Sequence, residues 1–135
     1  YHGAEHKTIA CYEHEEELTV ENVKKYTRFH PRCGTSFIFL VLFISIFVNT
    51  IFRVSWASNL LRVVIKMALL PIVTGIAYEL IRLAGKYDNI FTKIISAPGL
   101  WIQRITTSEP DESQIECAIA ALKACIPENK EDDKW

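Results

Sequence analysis

The chain has 135 residues, 50% of them hydrophobic, yet its mean hydropathy is only +0.12, which fits a chain that is part membrane and part soluble. A net charge of −1 without any Lys/Arg block argues against nucleic acid or another polyanion as partner. Cys11, Cys33, Cys117 and Cys125 form no C-x-x-C pair and lack the dense spacing of a secreted disulfide scaffold, so they read as reduced thiols on a cytosolic face.

The first six residues, Tyr1-His2-Gly3-Ala4-Glu5-His6, hold an H-x-x-E-H motif. On a helix, His2 and His6 lie one turn apart with Glu5 beside them. Two imidazoles so spaced can bind one metal while the carboxylate takes a proton from water, and the same letters occur in inverted-motif zinc proteases. The pattern is short, and two histidines hold a metal only if further ligands arrive. Tyr1 is not an initiator methionine and no signal peptide is visible, which fits a processed product or part of something longer, and the motif at the extreme terminus favours truncation.

A first helix is expected over about His2 to Glu13, ending in the solvated acidic run Glu13 to Glu17 with His14 facing solvent. Thr19 can cap a second short helix that carries Val20, Val23 and Tyr26. The cluster His30-Pro31-Arg32-Cys33-Gly34-Thr35 follows: Pro31 pushes His30 out of helical geometry and Gly34 permits a tight turn, which puts Cys33 in a structured loop. His30 and Cys33 are the further donors that H-x-x-E-H needs, since neutral imidazole and thiolate are preferred zinc ligands. Four protein ligands would make a closed structural site; three would leave a position open, with Glu5 as general base. Set against this, His30 can simply cap the turn and Arg32 can anchor headgroups. Glu13 is a further candidate, as a carboxylate ligand or as the group that orients a ligand histidine.

From Thr35 to Phe52 no residue is charged, and eighteen helical residues span about 27 Å, close to a bilayer core. A transmembrane helix is predicted, with Thr35 and Ser36 as caps. Asn59 to Leu83 reads as a second transmembrane helix, kinked at Pro71 and loosened at Gly75, with a re-entrant helix as the alternative. Arg62 and Lys66 snorkel at one end. Glu79 and Arg82, three apart at the other, can pair as a polar anchor or second-shell group, or can line a transport path.

Residues 87–107 are semi-polar, and Ala97-Pro98-Gly99 is expected to divide them into two short amphipathic pieces lying at the interface, where Trp101 and Trp56 suit the headgroup level. Ser108 and Pro110 open a soluble helix with an apolar stripe at Ile115, Ala118, Ile119, Leu122, Cys125 and Ile126. Cys117 and Cys125 read there as small core residues, and a charged tail follows Pro127. Seven positive residues flank the outer ends of the two spans (Lys24, Lys25, Arg28, Arg32, Arg82, Lys86, Lys93) against three between them (Arg53, Arg62, Lys66), which predicts both termini in the cytoplasm.

Taken together, YHGAEHKTI, ELTVENV, HPRCGTSF, YELIRLAGK, PGLWIQRITTSEP and IECAIAALKA resemble one family along the whole chain: the YqhQ-like bacterial membrane proteins, sometimes labelled predicted metal-dependent enzymes. The resemblance implies that this is the C-terminal half of a longer protein whose N-terminal part carries a glycine-rich segment and further membrane helices. It also implies metal dependence for His2, Glu5, His6, His30 and Cys33, and supplies neither reaction nor substrate.

The expectation is therefore an all-α integral membrane protein of the cell membrane, multi-pass. Its regions are a cytoplasmic helical segment with the His/Cys cluster (1–34), two transmembrane helices (35–86), an interfacial segment (87–107) and a C-terminal cytoplasmic helix with its tail (108–135). Its expected function is zinc binding with hydrolase potential at the cytoplasmic surface. The alternative is a non-enzymatic scaffold, assembly factor or transport subunit with a structural His/Cys site. The partners expected are the lipid bilayer, the remaining N-terminal half or another membrane subunit, and a second copy of the chain.

Overall fold

The computed structural model describes residues 1–52 and 57–133, and among them every regular element is helical. In chain order these are α1 (His2–Glu13), α2 (Val20–Lys24), α3 (Gly34–Ile51), α4 (Asn59–Lys86), α5 (Ile90–Thr106) and α6 (Glu112–Cys125), then a short 3-10 turn, Lys130–Asp133. The expectations for Arg53, Trp56 and the final residues of the tail fall outside the described residues.

The chain divides into two units, Tyr1–His30 with Arg104–Trp135, and Pro31–Gln103. In the first, α1 packs on α6 and both touch α2. Their core is Ala4, Cys11, Val23, Ile115 and Ile119, with Leu18, Val20, Tyr26 and Ala118 against it. Ile115 and Ile119 are the centre of the stripe read from the sequence, and the face they dock on is α1. Thr19 caps α2 by accepting from the Asn22 backbone N–H at 3.3 Å. The acidic run after α1 is exposed, as is His14.

Several local readings are corrected here. The cap of α6 is Asp111 rather than Ser108: it accepts from the backbone of Gln114, whose side chain returns to the Asp111 N–H, and Pro110 precedes the helix. The Ser113 hydroxyl first, and then the Gln114 backbone N–H, hold the Asp111 carboxyl below its usual range. Cys117 and Cys125 are exposed, not core, because position 117 lies about 200° around the helix from Ile115.

In the second unit α3 packs on α4 through Ile44, Val73 and Ala77, joined by Phe37, Leu40, Val41, Val48 and Leu80. Both helices are long and apolar enough to cross a membrane. Most of their large side chains point outward, among them Ile38, Phe43, Phe47, Leu60, Met67 and Ile72. Helix α3 begins at Gly34 itself, so Gly34 is helical rather than a turn residue. The N-cap is Cys33 rather than Thr35 or Ser36, and Ser36 is buried. Helix α4 runs unbroken through Pro71, and Glu79 pairs with Arg82 at 3.8 Å along it.

Residues 90–106 make one helix rather than two pieces, continuing through Pro98. Its start is fixed by Asn89, which accepts from the Thr92 N–H at 2.9 Å and donates its own N–H to the Thr92 hydroxyl at 3.1 Å. One missing N–H at Pro98 costs less than that cap and the tertiary contacts at Gly99 and Gln103 return.

Ile115 is fully buried between α6 and α1. Ile115→Ala is expected to cost about 2–5 kcal/mol, read as a lowered midpoint for thermal loss of helical circular dichroism in detergent, with α3 and α4 still helical.

Candidate metal centre

The H-x-x-E-H segment opens α1, so its side chains are set by that helix and by what packs against it. Gly3 sits where the carbonyl of Ser108 and Cβ of Arg28 come closest to α1; a side chain at position 3 would collide with that carbonyl. Two backbone segments therefore flank the first turns. The Thr106 carbonyl accepts from Nδ1 of His2 at 3.2 Å, and the Arg28 carbonyl accepts from Nδ1 of His6 at 2.6 Å. A carbonyl can only accept, so each Nδ1 carries the hydrogen, which in a neutral ring leaves the lone pair on Nε2. This is how protein frameworks orient imidazoles for a metal.

The ring centroids of His2 and His6 lie 4.4 Å apart and those of His6 and His30 5.8 Å apart. His30 is 8% exposed, and its Nε2 lies 3.5 Å from a Glu13 carboxylate oxygen. Glu13 is thus brought beside the ring of His30. His6 is 4% exposed, and its pKa is lowered from the ordinary 6.5. Burial is the main cause, the Arg28 carbonyl opposes it, and His2 and His30 add to it. Burial and the neighbouring rings thus favour the neutral form of His6.

Glu5 is exposed and, with His2, lines one end of a groove of about 440 Å³ between α1 and α6, whose walls include Ile9, Leu122, Cys117 and Cys125. Next to the histidines, Lys7 is 6% exposed; it pairs with Glu109 at 2.8 Å and donates to the Lys24 carbonyl at 3.3 Å. Glu109 also lies 3.9 Å from Arg28.

Of the residues singled out in the sequence, His2, His6, His30 and Glu13 come together in one unit, and Glu5 borders the groove beside His2. Cys33 belongs to the other unit, where its Sγ lies 3.1 Å from the Thr35 hydroxyl. It follows His30 by three residues, which limits their separation to about 11 Å along the chain. Glu79 and Arg82 also belong to that unit and pair with each other. The orienting carbonyls of Arg28 and Thr106 had no signal in the sequence, because a backbone group carries none. Lys7 and Glu109 were legible only as charges.

The model of a family described as "Protein of unknown function (DUF1385)" matches residues 1–128. The chain belongs to this family. Over 127 residues it is 44% identical to "Uncharacterized protein YqhQ" of Bacillus subtilis (strain 168), covering 93% of this chain and 39% of that relative. The chain therefore spans well under half the length of the curated relative it matches. No solved structure matches it.

In chelator-treated protein, long-range proton–nitrogen NMR correlations should show His6 protonated on Nδ1 at neutral pH, with a titration midpoint below 6.5. Unfolding restores the ordinary value, so the unfolded chain takes up this proton first. The associated stability is present above pH 6.5 and is lost as pH falls through it toward the folded-state midpoint.

Proposed function

We propose that this chain is a membrane-anchored metal-binding module, suited to zinc, with hydrolytic capacity at the cytoplasmic surface. The observation that carries the reading is the matched tethering of His2 and His6, each with Nδ1 held by a backbone carbonyl and Nε2 left as the donor atom. His30, oriented by Glu13, is the third imidazole, and Cys33 is the thiolate within chain reach. An imidazole and thiolate set of this kind selects zinc over the hard, oxygen-seeking cations. α3 and α4 are the anchors, and the excess of positive residues at their outer ends supports a cytoplasmic setting.

Zinc held there would supply Lewis acidity toward a carbonyl and make water a better nucleophile. The chain's own contribution is Glu5, an exposed carboxylate on the groove wall one turn from His2, placed to accept a proton from attacking water. The apolar groove beside it would hold the substrate's amide or ester.

A structural site is the second reading, favoured by the burial of His6 and His30 and by their ties to backbone and carboxylate. In that case the module serves as a scaffold, assembly factor or transport subunit.

Protein purified without chelator is expected to carry stoichiometric zinc. His6→Ala should weaken that zinc by more than the roughly 10–100-fold that losing an outer partner causes. Glu5→Gln should keep the metal and lose about 10²–10⁴-fold in hydrolysis. A Glu5→Gln chain that retains both metal and cellular role makes the site structural. Wild-type protein without stoichiometric metal removes the reading altogether.

A further inference from the structure

Helix α5 is built inside out. Its buried residues are Thr92, Gly99 and Gln103, which fall within an arc of about 40° at 100° per residue. Gln103 donates to the Ser36 hydroxyl at 2.9 Å, and a Cβ at Gly99 would run into Ser36. On the far side, Ile90, Phe91, Ile94, Pro98, Trp101 and Ile105 share an arc of about 100°. All six are exposed, Ile90 at 79%, Trp101 at 68% and Ile105 at 83%. Lys93 and Arg104 border this stripe along one edge, and Lys93 is paired with Asp88 at 3.3 Å.

The contacts of α5 also fix its level. Gly85, near the end of α4, lies against Arg32, just before α3 begins. The α5 contacts at Gly99 and Gln103 are to Ser36, in the first turn of α3. Ile90 follows Gly85 by five residues, a reach of about 17 Å at most. Both the start of α5 and its C-terminal half thus lie at one end of the α3/α4 pair. A helix of 17 residues, about 25 Å long, with both halves held at that end does not cross the layer that α3 and α4 cross.

We propose that α5 lies in the plane of the bilayer at the end where α3 starts and α4 finishes, with its Ile/Phe/Trp stripe in the upper acyl layer. The proposal rests on the reading that α3 and α4 span the membrane. The occupant of the stripe is lipid because Ile90 to Trp101 belong to the same unit as α3 and α4, whose large apolar side chains also face outward. The bordering Lys93 and Arg104 reach back to headgroups, as cations on such helices do. The buried Ser36–Gln103 hydrogen bond satisfies two polar groups away from water and pins α5 to the first turn of α3.

The test uses the chain in phosphatidylcholine–phosphatidylglycerol vesicles, with Trp56→Phe and Trp135→Phe leaving Trp101 as the remaining indole. Bromine-labelled lipids should quench Trp101, with the greatest loss of emission for bromines about 5–10 Å below the headgroup boundary. Aqueous acrylamide should quench it little. If the double variant does not fold, subtracting the emission of Trp101→Phe from that of the wild type gives the same readout. Greatest loss with bromines at the bilayer centre would mean α5 spans, and quenching by acrylamide without quenching by lipid would mean the stripe faces water or protein. Either result overturns the proposal. Alkaline carbonate extraction separately reports whether α3 and α4 hold the chain in the membrane, so failure of the spans and failure of the in-plane helix give different outcomes.

Discussion

The first unit depends on how closely the chain ahead of α6 approaches α1, and that approach is possible because residue 3 has no side chain. With the Ser108 carbonyl against Gly3, Thr106 comes into line with His2 and Glu109 with Lys7. Lys7 makes the constraint reciprocal. A nearly buried ammonium is costly unless paired and hydrogen-bonded, and it has both a carboxylate and a carbonyl. The cation that holds the segment against α1 therefore needs the segment in place. The imidazoles inherit their fixed rotamers from this arrangement, so the ordering entropy that a ligand would otherwise face is already spent in folding.

The same burial decides the electrostatics of the cluster. Protonating His6 would place a charge in a poorly hydrated site beside two further imidazoles, and the carbonyl that accepts its Nδ1 hydrogen does not offset this. On the function proposed above, a divalent ion shared among several donor atoms would suit that buried position better than one proton does. Glu13 at His30 and Glu5 at the groove supply the negative charge such an ion would need. Burial thus favours His6 as a neutral imidazole.

Much of this was legible in the sequence because the strongest local signals agreed with the tertiary fold. The extent of α1, the Thr19 cap and the uncharged run of α3 are set by side chains within a few residues of one another. The misreadings came where two local signals competed. At 108–114, Ser108 and Pro110 looked like a helix start, but Asp111 and Gln114 form the reciprocal pair that satisfies two backbone donors, and that pair prevails. At Pro98, a breaker stood inside a stripe already periodic from Ile90 to Ile105; the stripe and the Ser36 contacts outweigh one lost hydrogen bond. Cys117 was assigned to the core by its apolar character although its helical angle excluded it. The carbonyls that orient His2 and His6 come from positions 104 and 22 residues away, and no local pattern encodes them.

The two units differ in where their large apolar side chains lie, although both bury polar groups. In the first, aliphatic side chains are inside and the acidic run after α1 is outside, as water requires. In the second, large apolar side chains face outward, as on helices long and apolar enough to cross a membrane, while the buried Ser36, Thr92 and Gln103 have hydrogen-bond partners. The chain passes from one unit to the other at Pro31 and back again at Arg104. The first of these crossings falls between His30 and Cys33. Three residues of chain thus separate the last imidazole from the thiol, and that short tether alone keeps the two within about 11 Å of each other.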